Sequence, residues 1–412
     1  MLQALPLIFV LAGLALYTVL GGADFGAGFW QLVAARGSDG RSVREFAHRA
    51  MAPVWETNHV WLIFVLVVFW TAYPRAFGSI ASTLAVPLFI ALVGIVFRGA
   101  AYALREGAAS DRESARIDTI FAVSSVLVPF ALGASVGAIA IDRVPPGNAV
   151  GHQWSSWLNA PAILIGVLAV GTSAYLAAVF LAADAANDRE EALARSFRRR
   201  ALGAGVVMGA LAVAGVFILD ADNHALFHSL LSGRALPAVI VSGLAGIATV
   251  LLVYRRRYEP ARYSAALAVA TIIAGWALSR WPKILPHLTL HDAAAGHDTL
   301  VLLIVAVLGG GVILGPALAL LFHLTLGGRF RAAAHPDIGA GAVRDVVPNV
   351  RLPRRLAIAC LLAGFGLLNL ADAAAAHAAG VGCLIGFVAA GFYAIVVPAL
   401  DEQASSGRRD NA

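Results

Sequence analysis

Pro53-Val54-Trp55-Glu56-Thr57-Asn58-His59-Val60-Trp61, running on through Leu62–Trp70 to Thr71-Ala72-Tyr73-Pro74-Arg75, decides how the chain is read. Every residue from Trp61 to Trp70 is apolar, and such a run reads as a membrane-spanning helix. Yet the same segment opens with a carboxylate, an amide and an imidazole within four residues, at Glu56, Asn58 and His59. Polar groups inside an apolar span are costly, and they mark ion or proton paths. The other reading is an interfacial helix end whose polar residues lie among the lipid headgroups. Spacing alone leaves both open.

The composition extends the membrane reading to the whole chain. Of 412 residues, 60% are hydrophobic and only 13% are charged, whereas a soluble domain is about one quarter charged. The mean hydropathy is +0.80. The expected fold class is all-α, a polytopic membrane protein built of helical bundles. The net charge of +6 does not point to nucleic acid, because the arginines sit in loops between apolar runs, where they signal topology. No cleavable leader is expected: the first apolar segment is long, lacks a basic start and leads directly into Asp24-Phe25-Gly26. Cys360 and Cys383 lie in two successive apolar runs of opposite direction, so no disulfide is expected between them. The chain has no Cys-x-x-Cys-His attachment site for a c-type haem.

Windows of about 20 apolar residues give about eleven transmembrane helices, centred near Gly13, Val65, Gly94, Val128, Val167, Ala210, Val241, Ile272, Val307, Leu362 and Phe387. The eighth, Ala265–Leu278, is the shortest. Odd-numbered connections carry the arginines, among them Arg41, Arg44 and Arg49, Arg112 and Arg116, Arg198–Arg200, Arg255–Arg257, and Arg351, Arg354 and Arg355. Even-numbered connections hold only Arg75, Arg143, Arg234, Arg280 and Lys283. The positive-inside rule then puts the N-terminus outside and the C-terminus inside. The expected organisation is a nine-helix body over 1–330, a cytoplasmic linker over 331–353, a two-helix extension over 354–400 and a cytoplasmic tail over 401–412. Leu20-Gly21-Gly22-Ala23-Asp24 and Leu181-Ala182-Ala183-Asp184 end spans one and five, a hint of two related units or a coincidence in an alanine-rich chain.

Orientation fixes depth. Asp24 falls at the inner end of span one, Glu56, Asn58 and His59 at the inner end of span two, and Arg98 in the inner third of span three. Arg98 is thus a charge partner for Asp24 or Glu56, sparing a buried carboxylate from standing unpaired. Three headgroup-level residues, each reaching for water, remain the bland alternative. Elsewhere, His287 and His291, and likewise His224 and His228, have the i, i+4 spacing that can hold a metal on a helix. His323 is a candidate haem ligand near the inner end of span nine. Such isolated pairs are weak signals, and no metal ligand or catalytic residue is assigned to this chain.

At these residues the chain resembles subunit II of the cytochrome bd-type quinol oxidases. The resemblance rests on Gly22-Ala23-Asp24-Phe25-Gly26-Ala27-Gly28, on Pro53–Leu62 with Tyr73-Pro74, and on Phe97-Arg98-Gly99-Ala100-Ala101-Tyr102. It also rests on Trp281-Pro282 … Pro286 … Leu288-Thr289-Leu290-His291-Asp292-Ala293-Ala294 … Thr299-Leu300. It covers roughly residues 1–330 and implies a nine-helix body paired with a haem-bearing subunit I that oxidises quinol and reduces oxygen to water. Subunit II is expected to bind no haem of its own, to lie in the cytoplasmic membrane of a prokaryote and to contact lipid, with quinone as a further ligand. The resemblance implies proton supply from the cytoplasm through Asp24 and Glu56, with His59 and Asn58 beside them.

Some positions depart from the family pattern. Glu56 and Thr57 replace the Asp-Gly of the Trp-Asp-Gly-Asn motif, His59 stands where Glu or Gln is common, Gly21 replaces an Asp, and Ala103 replaces a Glu. Residues beyond Phe330 lie outside the resemblance. The competing function is a secondary transporter or proton channel, since an intramembrane Asp/Glu/Arg set is equally a transport signature. Against it, no two spans show Gly/Pro-broken helices at matching positions of inverted halves.

Overall fold

The computed structural model describes residues 2–34, 38–51, 55–105, 111–222, 224–231, 233–326 and 351–370, with short stretches between 373 and 390. Without water in the bilayer, each spanning segment must satisfy its own backbone hydrogen bonds, so apolar runs of this length become helices. Span one is continuous over Leu5–Val33. It consists of α1 (Leu5–Leu16), one π-helical stretch (Tyr17–Gly21) and α2 (Gly22–Val33). An amphipathic helix, α3 (Ser38–Met51), follows, then α4 (Trp55–Ala72), α5 (Pro74–Thr83), α6 (Ala85–Arg105) and α7 (Asp111–Ala140). Next come α8 (Ala160–Asn187), α9 (Glu191–Asp222), α10 (His224–Leu231), α11 (Leu236–Tyr254) and α12 (Tyr258–Arg280). A two-stranded hairpin, β1 (Lys283–Leu285) with β2 (Leu288–Thr289), leads through α13 (Leu290–Ala293) to α14 (His297–Leu326). Proline in the first turn opens α1, α5, α8 and α11, where its missing N–H costs nothing. Asn159 caps α8 by accepting from the Ala162 N–H at 3.0 Å.

Among the described residues, eight helices are long and apolar enough to cross a membrane. Three of the expected spans appear as shorter apolar helices, Asn58–Ala72, Arg355–Gly364 and Ala378–Phe387. The eighth span is longer than its apolar core suggests: α12 begins at Tyr258, because Tyr258-Glu259-Pro260 supplies a polar first turn ahead of the apolar stretch. Side chains on the outer faces are apolar and open, as on a surface facing lipid; Phe217 and Leu302 are each 70% exposed.

The helices pack as antiparallel neighbours, α6 on α7, α7 on α8, α8 on α9 and α11 on α12, with α2 lying against α7 and α8 and α14 against α1 and α4. The connections gather at two ends. At one end Arg49 reaches Glu190 at 3.3 Å and Asn187 reaches Glu259 at 2.8 Å, joining arginine-rich odd-numbered connections. At the other, the Tyr73 hydroxyl donates to the Gln3 carbonyl at 2.6 Å and the Ala295 N–H to the Ala72 carbonyl at 2.8 Å. There too Arg280 pairs with Asp142 at 2.7 Å. The 281–296 connection is the plug of this second end. Leu285, Leu288, Leu290, Ala293 and Leu300 are buried in one cluster with Ala72, Tyr73, Leu84 and Trp157.

Residues 1–327 and 328–412 are separate compact units. Within the second, Arg351–Leu370 packs against the 378–387 helix at Gly364, where a Cβ would meet Leu384 Cγ at 2.9 Å and the Gly380 carbonyl at 3.0 Å. Cys360 and Cys383 are free thiols, and Cys360 Sγ faces Gly386.

Candidate functional site: a buried ion pair at the arginine-rich end

Asp24 and Arg98, two of the charged residues placed at one level by the sequence, are in contact. Asp24 is fully buried and Arg98 only 2% exposed. The guanidinium grips the carboxylate with both arms, Nη1 to Oδ2 at 2.5 Å and Nη2 to Oδ1 at 2.7 Å. Nη2 also donates to the Asp24 carbonyl at 3.1 Å, and Nε to Ser125 Oγ at 2.9 Å. The faces of the guanidinium are covered by Phe25 and Phe121, whose ring centres lie 4.7 and 4.5 Å from Cζ. A planar fork packed against two aromatic rings is a fit for arginine and not for lysine.

The glycines around Asp24 make this packing possible. A Cβ on Gly26 would lie 1.9 Å from the Ser173 carbonyl oxygen, so α2 and α8 touch backbone to backbone. A Cβ on Gly28 would lie 2.2 Å from Ser125 Oγ. That hydroxyl donates to the Phe121 carbonyl at 2.7 Å while accepting from Arg98. Gly28 therefore leaves room for the serine that orients Arg98, which in turn holds Asp24.

Span two completes the site. Asn58 is buried, and its amide donates to the Leu20 carbonyl at 3.2 Å, a carbonyl within the π-helical stretch. Such stretches loosen the regular helix ladder and recur at functional sites. The His59 ring stands edge-on to Tyr17 and Phe25, at centroid distances of 6.2 and 5.9 Å. Glu56 lies in the first turn of α4, and its side chain falls outside the described residues. The structure thus brings Asp24, Arg98, Asn58 and His59 together around Tyr17, Phe25 and Ser125. The sequence reading had not singled out Tyr17, Phe121 or Ser125; a serine pair at 124–125 inside an apolar run was the available signal for the last.

Near Arg105, at the C-terminal end of α6, helix α3 lays Val43, Phe46 and Ala47 into a cluster with Leu181, Ala185 and Phe197. Its His48 stacks on Tyr102 at 5.2 Å. Burial, reinforced by the nearby Arg105 charge, lowers the His48 pKa from 6.5 to about 4. A second ion pair, Asp184–Arg262 at 2.5 Å, lies at the same end. It relates to the repeat hint only loosely, since Asp24 takes its arginine from the third span and Asp184 from the eighth.

His287 and His291 are not presented together on one helix. His287 sits in the hairpin turn with φ 56°, while His291 lies in α13, so the two do not share a helix face; the segment with its two prolines forms a β-hairpin. His228 is exposed, and the side chains of His224 and His323 fall outside the described residues. Among the described residues no three His, Cys, Asp or Glu side chains converge.

Comparison with known proteins bears directly on this arrangement. The sequence model of the family described as cytochrome bd terminal oxidase subunit II matches residues 2–325. A putative cytochrome bd menaquinol oxidase subunit II of Bacillus subtilis (strain 168) is 25% identical over 114 residues, 28% of this chain. The aligned part spans only about a third of that relative, 32% of its length. A chain of the bd oxidase structure from Geobacillus thermodenitrificans superposes with a TM-score of 0.62 at 24% identity, covering 79% of this chain and 98% of that one. This last likeness shows a shared fold.

Proposed function

We propose that this chain, which belongs to the cytochrome bd terminal oxidase subunit II family, is the haem-free subunit of a quinol-oxidising oxygen reductase and supplies it with protons. The observation that carries the reading is the fully buried Asp24 carboxylate, held by Arg98 at the end where the arginine-rich connections gather. By the positive-inside rule that end faces the cytoplasm, and the membrane is the cytoplasmic membrane of a prokaryote. Haems in the partner subunit carry electrons from quinol to oxygen. Reducing oxygen to water consumes protons, and a haem site enclosed by protein must receive them through titratable groups and water.

In this chain Glu56 is the transferring group, at the head of α4 beside Asn58 and His59. A carboxylate there takes a proton from the aqueous side and releases it inward. Asp24 has a different task. Gripped by both arms of Arg98 it forms a fixed ion pair, which holds α2 and α6 in place beside the head of α4. Asn58 ties α4 to the π-helical stretch and keeps the two spans in register. The secondary-transporter reading is not favoured, because the family match runs through nearly the whole first unit.

The partner is a second polytopic subunit bearing the haems. Expression of this chain alone tests the assignment. It should give membrane-inserted protein with no Soret band and no quinol oxidase activity, and both should appear on co-expression with the adjacent haem-ligand-bearing subunit. A haem-loaded, active preparation of the single chain would contradict it.

A further inference from the structure

One buried polar group at the site is not used by the ion pair. Tyr17 is only 6% exposed, yet its hydroxyl has no hydrogen-bond partner among the described residues. Buried hydroxyls are normally satisfied, and where protein supplies no acceptor an internal water does so. The ring's position shows where that water belongs. A Cβ on Gly21 would meet Tyr17 Cε2 at 3.1 Å and Cζ at 3.6 Å, so the ring lies along the Gly21 backbone and runs toward the Asp24 end of the helix. It meets Phe25 and His59 edge-on at 6.4 and 6.2 Å, and the same Phe25 ring lies 4.7 Å from Arg98 Cζ. A side chain at position 21 would press on the ring and push it aside by a few tenths of an ångström, and the π-helical stretch spans Tyr17 to Gly21. Were the position required only to fill space beside Ala91, Val128 and Ala131, phenylalanine would serve without an unsatisfied oxygen.

We propose that Tyr17, His59 and the Asp24–Arg98 pair enclose a water-binding site and that Tyr17 is a proton-relay residue of the oxidase. The inference rests on the proton-supply reading above. In the relay, the phenol oxygen accepts the excess proton of a protonated water on the cytoplasmic side as its own proton passes to the next water, which carries the charge onward. Over the two transfers two O–H bonds form and two break, no electron moves, and rotation of the hydroxyl restores the starting state.

The test is Tyr17→Phe in the co-purified complex, beside Glu56→Gln, with quinol-driven oxygen consumption measured in H2O and D2O. The substitution keeps the ring, so haem spectrum and melting temperature should match the parent. Turnover should fall by about fivefold or more, the scale of losing one hydrogen bond in a proton-transfer step, and the solvent isotope effect should rise. Full turnover in Tyr17→Phe overturns the relay, and if Glu56→Gln is still slow the proton-supply reading survives. A fall in Tyr17→Phe turnover with an unchanged isotope effect also overturns it, since packing alone would then account for the loss. Full turnover in both variants removes the relay and the proton-supply reading together.

Discussion

Replacing Arg98 by leucine should disable assembly, and the structure sets the scale. The substitution removes two arms from Asp24, the bond to its carbonyl and the bond to Ser125, and leaves a carboxylate with no exposure to water. Breaking a buried pair from one side costs about 3–5 kcal/mol, and the lost aromatic contacts at 4.7 and 4.5 Å add about 0.5–2 kcal/mol. At about 1.4 kcal/mol per tenfold, even the low end shifts the folding equilibrium by roughly three hundredfold. Asp24→Leu combined with Arg98→Leu should recover most of the loss, because replacing both members of a buried pair with apolar groups is near neutral. Arg98→Lys should fall between, since one ammonium cannot grip both carboxylate oxygens and Ser125 at once. The assay is the yield and melting temperature of the detergent-solubilised complex, arranged as a double-mutant cycle. An Arg98→Leu complex as stable as the parent, or a double variant no better than the worse single, would refute this account of the pair.

Two further predictions follow from packing and charge. Gly26→Ala places a Cβ 1.9 Å from a backbone oxygen of Ser173 and should lower stability by about 1–3 kcal/mol through overpacking. Gly209→Ala, with nothing within 4 Å of the new atom, should be neutral or stabilising by up to about 1 kcal/mol; equal melting temperatures for the two would contradict the close approach of α2 and α8. For His48, whose pKa is held at about 4 against an ordinary 6.5, docked and undocked α3 are both neutral above 6.5. Between 6.5 and about 4 the undocked helix binds a proton that the docked one refuses, so docking weakens as pH falls through that window. Deuterium exchange across Ser38–Met51, corrected for intrinsic rate, should therefore be faster at pH 5 than at pH 7, and His48→Phe should flatten the difference.

Much of the fold was legible because a membrane imposes a simple rule: long apolar runs become helices, and arginines collect on one side of them. Residues 85–105 and 160–187 needed no other information. α12 was underestimated because a polar first turn at Tyr258-Glu259 continues a helix whose apolar core is short. The hairpin at Lys283–Thr289 was invisible to periodicity, being too short to alternate, and Pro282 and Pro286 marked the segment only as irregular. Within the site, charge balance foresaw a partner for Asp24, since an unpaired buried carboxylate is untenable. It did not choose between Asp24 and Glu56, nor reveal that Ser125, Phe25 and Phe121 orient the arginine. Those contacts depend on which face of α7 meets α6, information carried by tertiary packing at Gly28 and Gly94 and not by any one segment.

The central claim is that protons for oxygen reduction enter at the arginine-rich end through the head of α4. It is tested most directly by proton uptake during quinol-driven turnover, in vesicles of known orientation with a pH-sensitive dye on each side. Uptake should come from the side bearing the odd-numbered connections. Glu56→Gln should slow it strongly, by about tenfold or more for a lost proton-transfer group, with the haem spectrum intact, while Glu56→Asp should be much milder. Uptake from the opposite side, or an undiminished rate in Glu56→Gln with normal haem content, would contradict the account.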